Sequence, residues 1–178
     1  MKMTELSMAI AQATLAAYQQ LRRDYDDNFY YFVLVTTWDG TPPAVAAWSR
    51  ETLDAAVQAC EDKKDAEWGL KWSYADSPFL CFGDAYFDDV KRLFALRPDM
   101  RLLHEEERSR ELSFRVIAMV EAMKRLDEAG VFGTGEDRNR IFINVEVNPP
   151  DSTNTDRAEL LNPMDARKVW IAEMAEPV

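Results

Sequence analysis

Nine consecutive residues, Phe29-Tyr30-Tyr31-Phe32-Val33-Leu34-Val35-Thr36-Thr37, constrain the fold more than any other stretch. Aromatic and β-branched side chains favour a pleated, extended backbone, and a short run without Gly or Pro reads as a strand. Up to Val35 no polar residue alternates with the apolar ones. Such a strand is covered on both faces, as a central strand is. The rest of the chain is therefore expected to supply apolar layers for two sides of a sheet. Trp38-Asp39-Gly40-Thr41-Pro42-Pro43 follows as a hairpin turn, with Asp-Gly its signature, and residues 44–48 form the returning strand.

Helical spacing supplies the layers. Leu6, Ile10, Ala13, Ala17 and Leu21 recur at three and four residues, which predicts a helix over 4–23. Thr4 is its expected N-cap, and Arg22 and Arg23 suit its negative end. Ser49 caps a second helix that buries Leu53, Ala56, Val57 and Cys60, with residues 61–65 as its exposed end. Residues 68–74 alternate Trp68, Leu70 and Trp72 against Gly69, Lys71 and Ser73, which predicts a short third strand. Asp76-Ser77-Pro78 opens a short helix, and Asp84 caps another running to about Leu96. The longest helix covers 105–129, striped by Leu112, Val116, Met119, Val120, Met123 and Leu126 and ended by Gly130. Residues 141–147 alternate as a fourth strand, 148–156 form a polar loop, and Asn162-Pro163 caps a final helix over 163–174. The order does not alternate strand and helix regularly. It predicts an α+β fold, a small and mostly antiparallel sheet of about four strands covered by helices, as a single domain over residues 1–178.

Charge narrows the function. The chain carries 21 Lys and Arg against 32 Asp and Glu, a net charge of −11. Nucleic-acid binding depends on cations that neutralise phosphates, and a field of this sign repels a polyanion. The same argument disfavours anionic membranes, and no apolar run approaches the roughly 20 residues of a span. The opening Met1-Lys2-Met3-Thr4-Glu5 has no signal-peptide pattern. Cys60 and Cys81 form no CxxC pair, so they read as buried, free thiols in a reducing cytoplasm. The single histidine, His104, precedes Glu105-Glu106-Glu107 and reads as a solvated residue at a helix start. With one His, no metal site or histidine-dependent nucleophile is expected, and no cofactor is implied.

What remains are acids, aromatics and one loop. Asp24, Asp26 and Asp27 cluster after the first helix, and Asp84-Asp88-Asp89 and Glu105–107 form two further runs. Neighbouring positions on a helix face different ways, so none of these runs makes a catalytic carboxylate pair by itself. Gly133-Thr134-Gly135-Glu136-Asp137-Arg138 follows a helix and precedes a strand, the reverse of a phosphate loop, and carries two acids. It reads as a Gly-rich turn that presents Glu136, Asp137 and Arg138. Of five tryptophans, Trp38 borders the hairpin and is the expected exposed anchor.

Four stretches also resemble a known family. They are Phe29-Tyr30-Tyr31-Phe32, Leu126-Asp127-Glu128-Ala129-Gly130-Val131-Phe132-Gly133, Gly135-Glu136-Asp137-Arg138 and Leu161-Asn162-Pro163. In this order they look like the bacterial family catalogued as domain of unknown function 4303, over roughly residues 5–174. The resemblance brings no activity and no catalytic residues. It implies a place among accessory and immunity genes of toxin systems. The leading expectation is thus an acidic protein-interaction module that meets a partner with a basic surface through Asp24, Asp26, Asp27, Trp38, Glu136, Asp137 and Arg138. The alternative is a ligand binder or enzyme using carboxylate, Tyr and Arg groups such as Glu136, Tyr74 and Arg138. A buried pocket holding a strongly shifted acid would favour it.

Overall fold

In the computed structural model, which describes residues 2–150 and 153–174, Phe29–Thr37 forms β1, the middle strand of a three-stranded sheet. β2 (Ala44–Ser49) pairs antiparallel to it across the expected hairpin, and β3 (Phe142–Asn148) pairs parallel, with Tyr31 opposite Phe142 and Val35 opposite Glu146. The helices are α1 (Met3–Asp24), α2 (Arg50–Ala59), α3 (Lys63–Leu70), α4 (Asp88–Ala95), α5 (Glu105–Glu128), α6 (Thr153–Leu161) and α7 (Met164–Met174). The fold is α+β, and both faces of β1 are buried as its sequence requires.

One face of the sheet packs Phe32, Leu34, Val45, Ile143 and Val145 against Leu6, Ile10 and Leu21 of α1 and Met119 and Met123 of α5. The other packs Tyr31, Val33, Trp48 and Phe142 against Leu53 and Val57 of α2, Trp72 and Trp170. Each large apolar side chain buried in these layers contributes about 1.5–3 kcal/mol. α5 ends as Gly130 at φ 75° lets Gly130 N–H reach Asp127 O and Val131 N–H reach Leu126 O. This closes the helix in the left-handed turn that glycine favours.

Several expectations need correction. The sheet has three strands and is mixed, because β3 runs parallel to β1 rather than antiparallel. The expected third strand over 68–74 is instead the end of α3 followed by a turn. Its alternation is three pairs long, too short to outweigh the helix formers Ala66 and Glu67 before it. Residues 61 and 62 accordingly bend away from α2, and 63–65 start α3 rather than extend α2. Residues 76–82 are turns, not a helix. Lys2, without a side-chain bond, holds the N-cap position of α1 in place of Thr4, whereas Ser49 caps α2 in a reciprocal pair with Thr52. Cys60 and Cys81 are both exposed, not buried. The loop expected over 148–156 gives way at Thr153 to α6, while residues 151 and 152 lie outside the described residues, as do Met1 and 175–178.

Both edges of the sheet are closed by side chains instead of further strands. On β3 the Asn162 amide donates to Ile143 O and its oxygen accepts Ile143 N–H, at 2.6 and 2.9 Å. Arg157 Nε donates to Val145 O, and Asn154 Oδ1 accepts Val147 N–H. Asn162 thus copies a neighbouring strand rather than capping α7. On β2, Ser77 Oγ donates to Ala47 O and accepts Ala47 N–H, and Cys81 N–H donates to Val45 O. Edge groups left open would template pairing with another chain.

Candidate functional site

A bulge sets up the site. The register between β1 and β2 shifts between Phe29 and Tyr31, so one residue of β1 is extra. Alternation breaks there, and Tyr30 and Tyr31 both pack on the α2 and α7 side of the sheet. Tyr30 Oη donates to Lys71 O at 2.6 Å, and Trp48 Nε1 donates to Ser73 O at 2.7 Å. These bonds pin the turn after α3 over the sheet and bring Trp72 into the core.

Beneath that turn lies Glu146 of β3. Its register opposite Val35 points it to the same face as Phe142 and Asn144. The residue is 7% exposed, and Oε1 accepts the Tyr31 hydroxyl at 2.7 Å. No ion pair is made by Glu146 among the described residues: the nearby Arg157 guanidinium is spent on Val145 O, Thr153 and Asn154. Burial dominates its acidity. It pushes the Glu146 carboxyl up to about 7, while the Tyr31 bond and the Arg157 charge pull the other way. Burial and the Glu146 charge raise the Tyr31 hydroxyl in turn, and the same two causes, in that order, raise Tyr74.

Glu146 opens into a cavity of about 280 Å³, walled by Trp68, Trp72, Tyr74, Trp170 and Met174 with Thr155 on the α6 side. Trp170 stacks on Phe142 at 4.9 Å between ring centres, and Trp72 meets Tyr31 edge to face at 5.8 Å. Glu173 accepts Trp72 Nε1–H at 2.6 Å and pairs with Lys71 at 2.9 Å, which orients the indole. Trp68, 73% exposed, stands at the mouth. Two buried oxygens, Thr155 Oγ1 in the cavity lining and Asn144 Oδ1 outside it, have no hydrogen-bond partner among the described residues. Buried polar atoms of this kind are uncommon and mark places where something else is accommodated. Larger grooves run between α5 and α6 (about 540 Å³) and along the start of β1 and β3 (about 580 Å³), but neither holds a buried, unpaired acid.

The residues singled out from the sequence fall elsewhere. Parallel pairing of β1 and β3 puts their starts side by side. The Asp24–Asp27 turn therefore meets the 133–140 segment, and Asp27 and Asp137 line the same groove with Arg22, Arg50 and Arg140. Asp24, Asp26, Glu136 and Asp137 are exposed, while Asp27 is half-buried and accepts Ser49 Oγ at 2.8 Å. Trp38, 52% exposed, sits at the opposite end of β1 with Arg108 over its ring, about nine strand residues (roughly 30 Å) from the acids. Arg138 does not reach the surface as a contact. It is 7% exposed, ion-paired to Asp127, and bonded to Ile141 O, Leu161 O and Asn162 Oδ1. His104 is exposed at the start of α5, where its N–H meets Glu107 at 3.3 Å. Tyr74 of the alternative reading does belong to the Glu146 cavity. Glu146 and Tyr31 carry no signal of their own, because nothing in a strand's sequence distinguishes a buried carboxylate from a solvent-facing one.

Among the described residues no group of three or more His, Cys, Asp or Glu side chains is placed to hold a metal, and no helix is long and apolar enough to cross a membrane. A family profile described as a domain of unknown function, DUF4303, matches residues 10–163. The chain belongs to the DUF4303 family. No curated protein and no solved structure matches it. The DUF4303 match runs from within α1 to Pro163, and so includes Glu146, Tyr31, Arg138 and Asn162, the residues that build the cavity floor and close the sheet edge.

Proposed function

We propose that this DUF4303 protein binds a small ligand in the aromatic cavity over Glu146. The observation that carries the reading is a carboxylate buried without an ion pair and opening into a concave, tryptophan-walled space. Perturbed acids in clefts gather at functional sites, and about 280 Å³ lies at the small end of ligand cavities. Protein-observed NMR titration with a metabolite pool tests it, with the wild type compared to Gly69→Phe. Gly69 lines the cavity, has ordinary φ, and a Cβ there meets no atom within 4 Å, so the variant folds and narrows the space. Ligands should shift the Trp72 and Trp170 indole N–H signals of the wild type and lose affinity for the variant. A pool that moves neither signal ends the proposal.

A second reading keeps the acidic interaction module, a cytoplasmic protein of immunity type that neutralises a toxin with a basic surface. Its support is the net charge of −11 and the gathering of Asp24, Asp26, Asp27, Glu136 and Asp137 at one end of the sheet. An acidic patch steers a basic partner and loses rate as salt rises. Capture of a basic protein at low salt, released at high salt and lost on changing Asp24, Asp26 and Asp27 together to Asn, is the expected result. Capture unaffected by the triple change would exclude that patch.

A further inference from the structure

We infer that the cavity takes a small organic cation, an alkylammonium or guanidinium group, with its charge on the Glu146 carboxylate and its carbon atoms against Trp72, Trp170 and Tyr74. The inference rests on the cavity's being a ligand site and adds the ligand's chemistry. Three features select a cation. Glu146 has one oxygen occupied by Tyr31 Oη, and no hydrogen bond reaches the other from any described residue. The walls are aromatic, with Trp68, Trp72, Tyr74 and Trp170 among the lining, and aromatic rings attract cations over their faces, most strongly where water is excluded. The cavity's unpartnered hydroxyl, Thr155 Oγ1, is free to accept an N–H, of which an ammonium brings three and a guanidinium five.

The titratable groups around Glu146 set the balance of charge that a ligand meets. From β1 comes Tyr31 and from the turn after α3 comes Tyr74, both neutral near pH 7, and burial raises each further. From α6 comes Arg157, bonded to Val145 O, Asn154 and Thr153; its positive charge draws on the same carboxylate and works against a second cation, which the aromatic walls and the free Glu146 oxygen must outweigh. At the rim Lys71 is matched by Glu173, so that pair adds no net charge. A cation entering against the protonated acid displaces one proton: the carboxylic acid and the free cation become the ion pair and H⁺. Affinity should therefore rise about tenfold per pH unit below the titration of Glu146 and level off above it.

The test is a calorimetric and NMR titration with n-butylammonium and n-butylguanidinium, their neutral counterparts n-pentanol and valeramide, and the anion valerate. Wild type and Glu146→Gln are compared between about pH 6 and about pH 8. The expected result is binding of the cations at least about tenfold tighter than the neutral probes, a loss of at least about tenfold in Glu146→Gln, and proton release near pH 6. The introduced amide still accepts the Tyr31 hydroxyl, so the variant keeps the cavity's shape. Neutral probes that bind as tightly as cations, with the same affinity in wild type and Glu146→Gln, would overturn the cation assignment and leave the ligand site standing. Failure of every probe to shift the Trp72 and Trp170 signals overturns the assignment too. Whether the cavity binds anything at all is then decided separately by the metabolite pool and Gly69→Phe.

Discussion

At the scale of single residues, two buried acids behave in opposite ways. Burial pulls Glu111 of α5 upward, but hydrogen bonds and charges from Arg97 and Arg115 outweigh it and hold the carboxyl below the usual range. Arg115 in turn donates to Gly40 O and Pro98 O, tying the hairpin to α5. Glu146 has no such cations in contact and sits near 7. A carboxyl whose folded pKa is raised adds stability that is fully present below its unfolded value of about 4.5 and is lost as pH rises through about 7. Replacing it with Gln removes that loss. Glu146→Gln is therefore expected to match the wild type near pH 4 and to exceed it at pH 8, by up to about 3 kcal/mol for a shift of this size. Chemical denaturation across that range checks the sign: a difference that stays flat, or that grows towards acid, would show that folding does not raise the Glu146 carboxyl. Little of this is legible in the sequence. Glu146 alternates with Ile143, Val145 and Val147 as a solvent-facing residue would, and it is covered by elements outside its strand: α6, α7 and the turn after α3.

At the scale of elements, local signals are reliable where the chain decides by itself. The bounds of β1, the cap of α2 by Ser49, and the closing of α5 at Gly130 all follow from side-chain chemistry within a few residues. Partner-dependent features are not legible. The parallel course of β3 depends on α5 crossing between the strands, and α6 owes its place to Asn154, Arg157 and Asn162 meeting the edge of β3. Asn162 illustrates the ambiguity: Asn before Pro before a helical stripe reads as a cap, yet its amide holds Ile143, Ala158 and Arg138 together. Asn162→Ala should leave Ile143 N–H and C=O buried and unmatched, at about 1–3 kcal/mol for each such group. The expected fall in Tm is roughly 5–10 °C, and hydrogen exchange should accelerate first at Ile143 and its neighbours. Unchanged protection of Ile143 would mean that the edge is held by something other than this amide.

At the scale of the whole molecule, charge competes with pairing. Most ion pairs among the described residues, such as Lys91 with Asp84 and Arg101 with Asp99, lie at the surface, where each contributes little and is weakened by salt. Against them stands the repulsion of an excess of eleven negative charges, which salt relieves. The excess acts on every acid while each exposed pair is weak, so Tm at neutral pH is expected to rise by roughly 2–5 °C between about 0.02 M and about 0.3 M NaCl. A Tm that falls with salt would show the pairs to be dominant. Assembly is governed by a different feature, the sealed sheet. With Asn162 and Arg157 mimicking a strand on one side and Ser77 on the other, neither border offers a free ladder to a newcomer's backbone. Copies of this protein, or anything else that meets it, must dock through side chains on helices and loops. Seeding of fibrils from the native state is barred until α6 or the 77–81 turn has first come away.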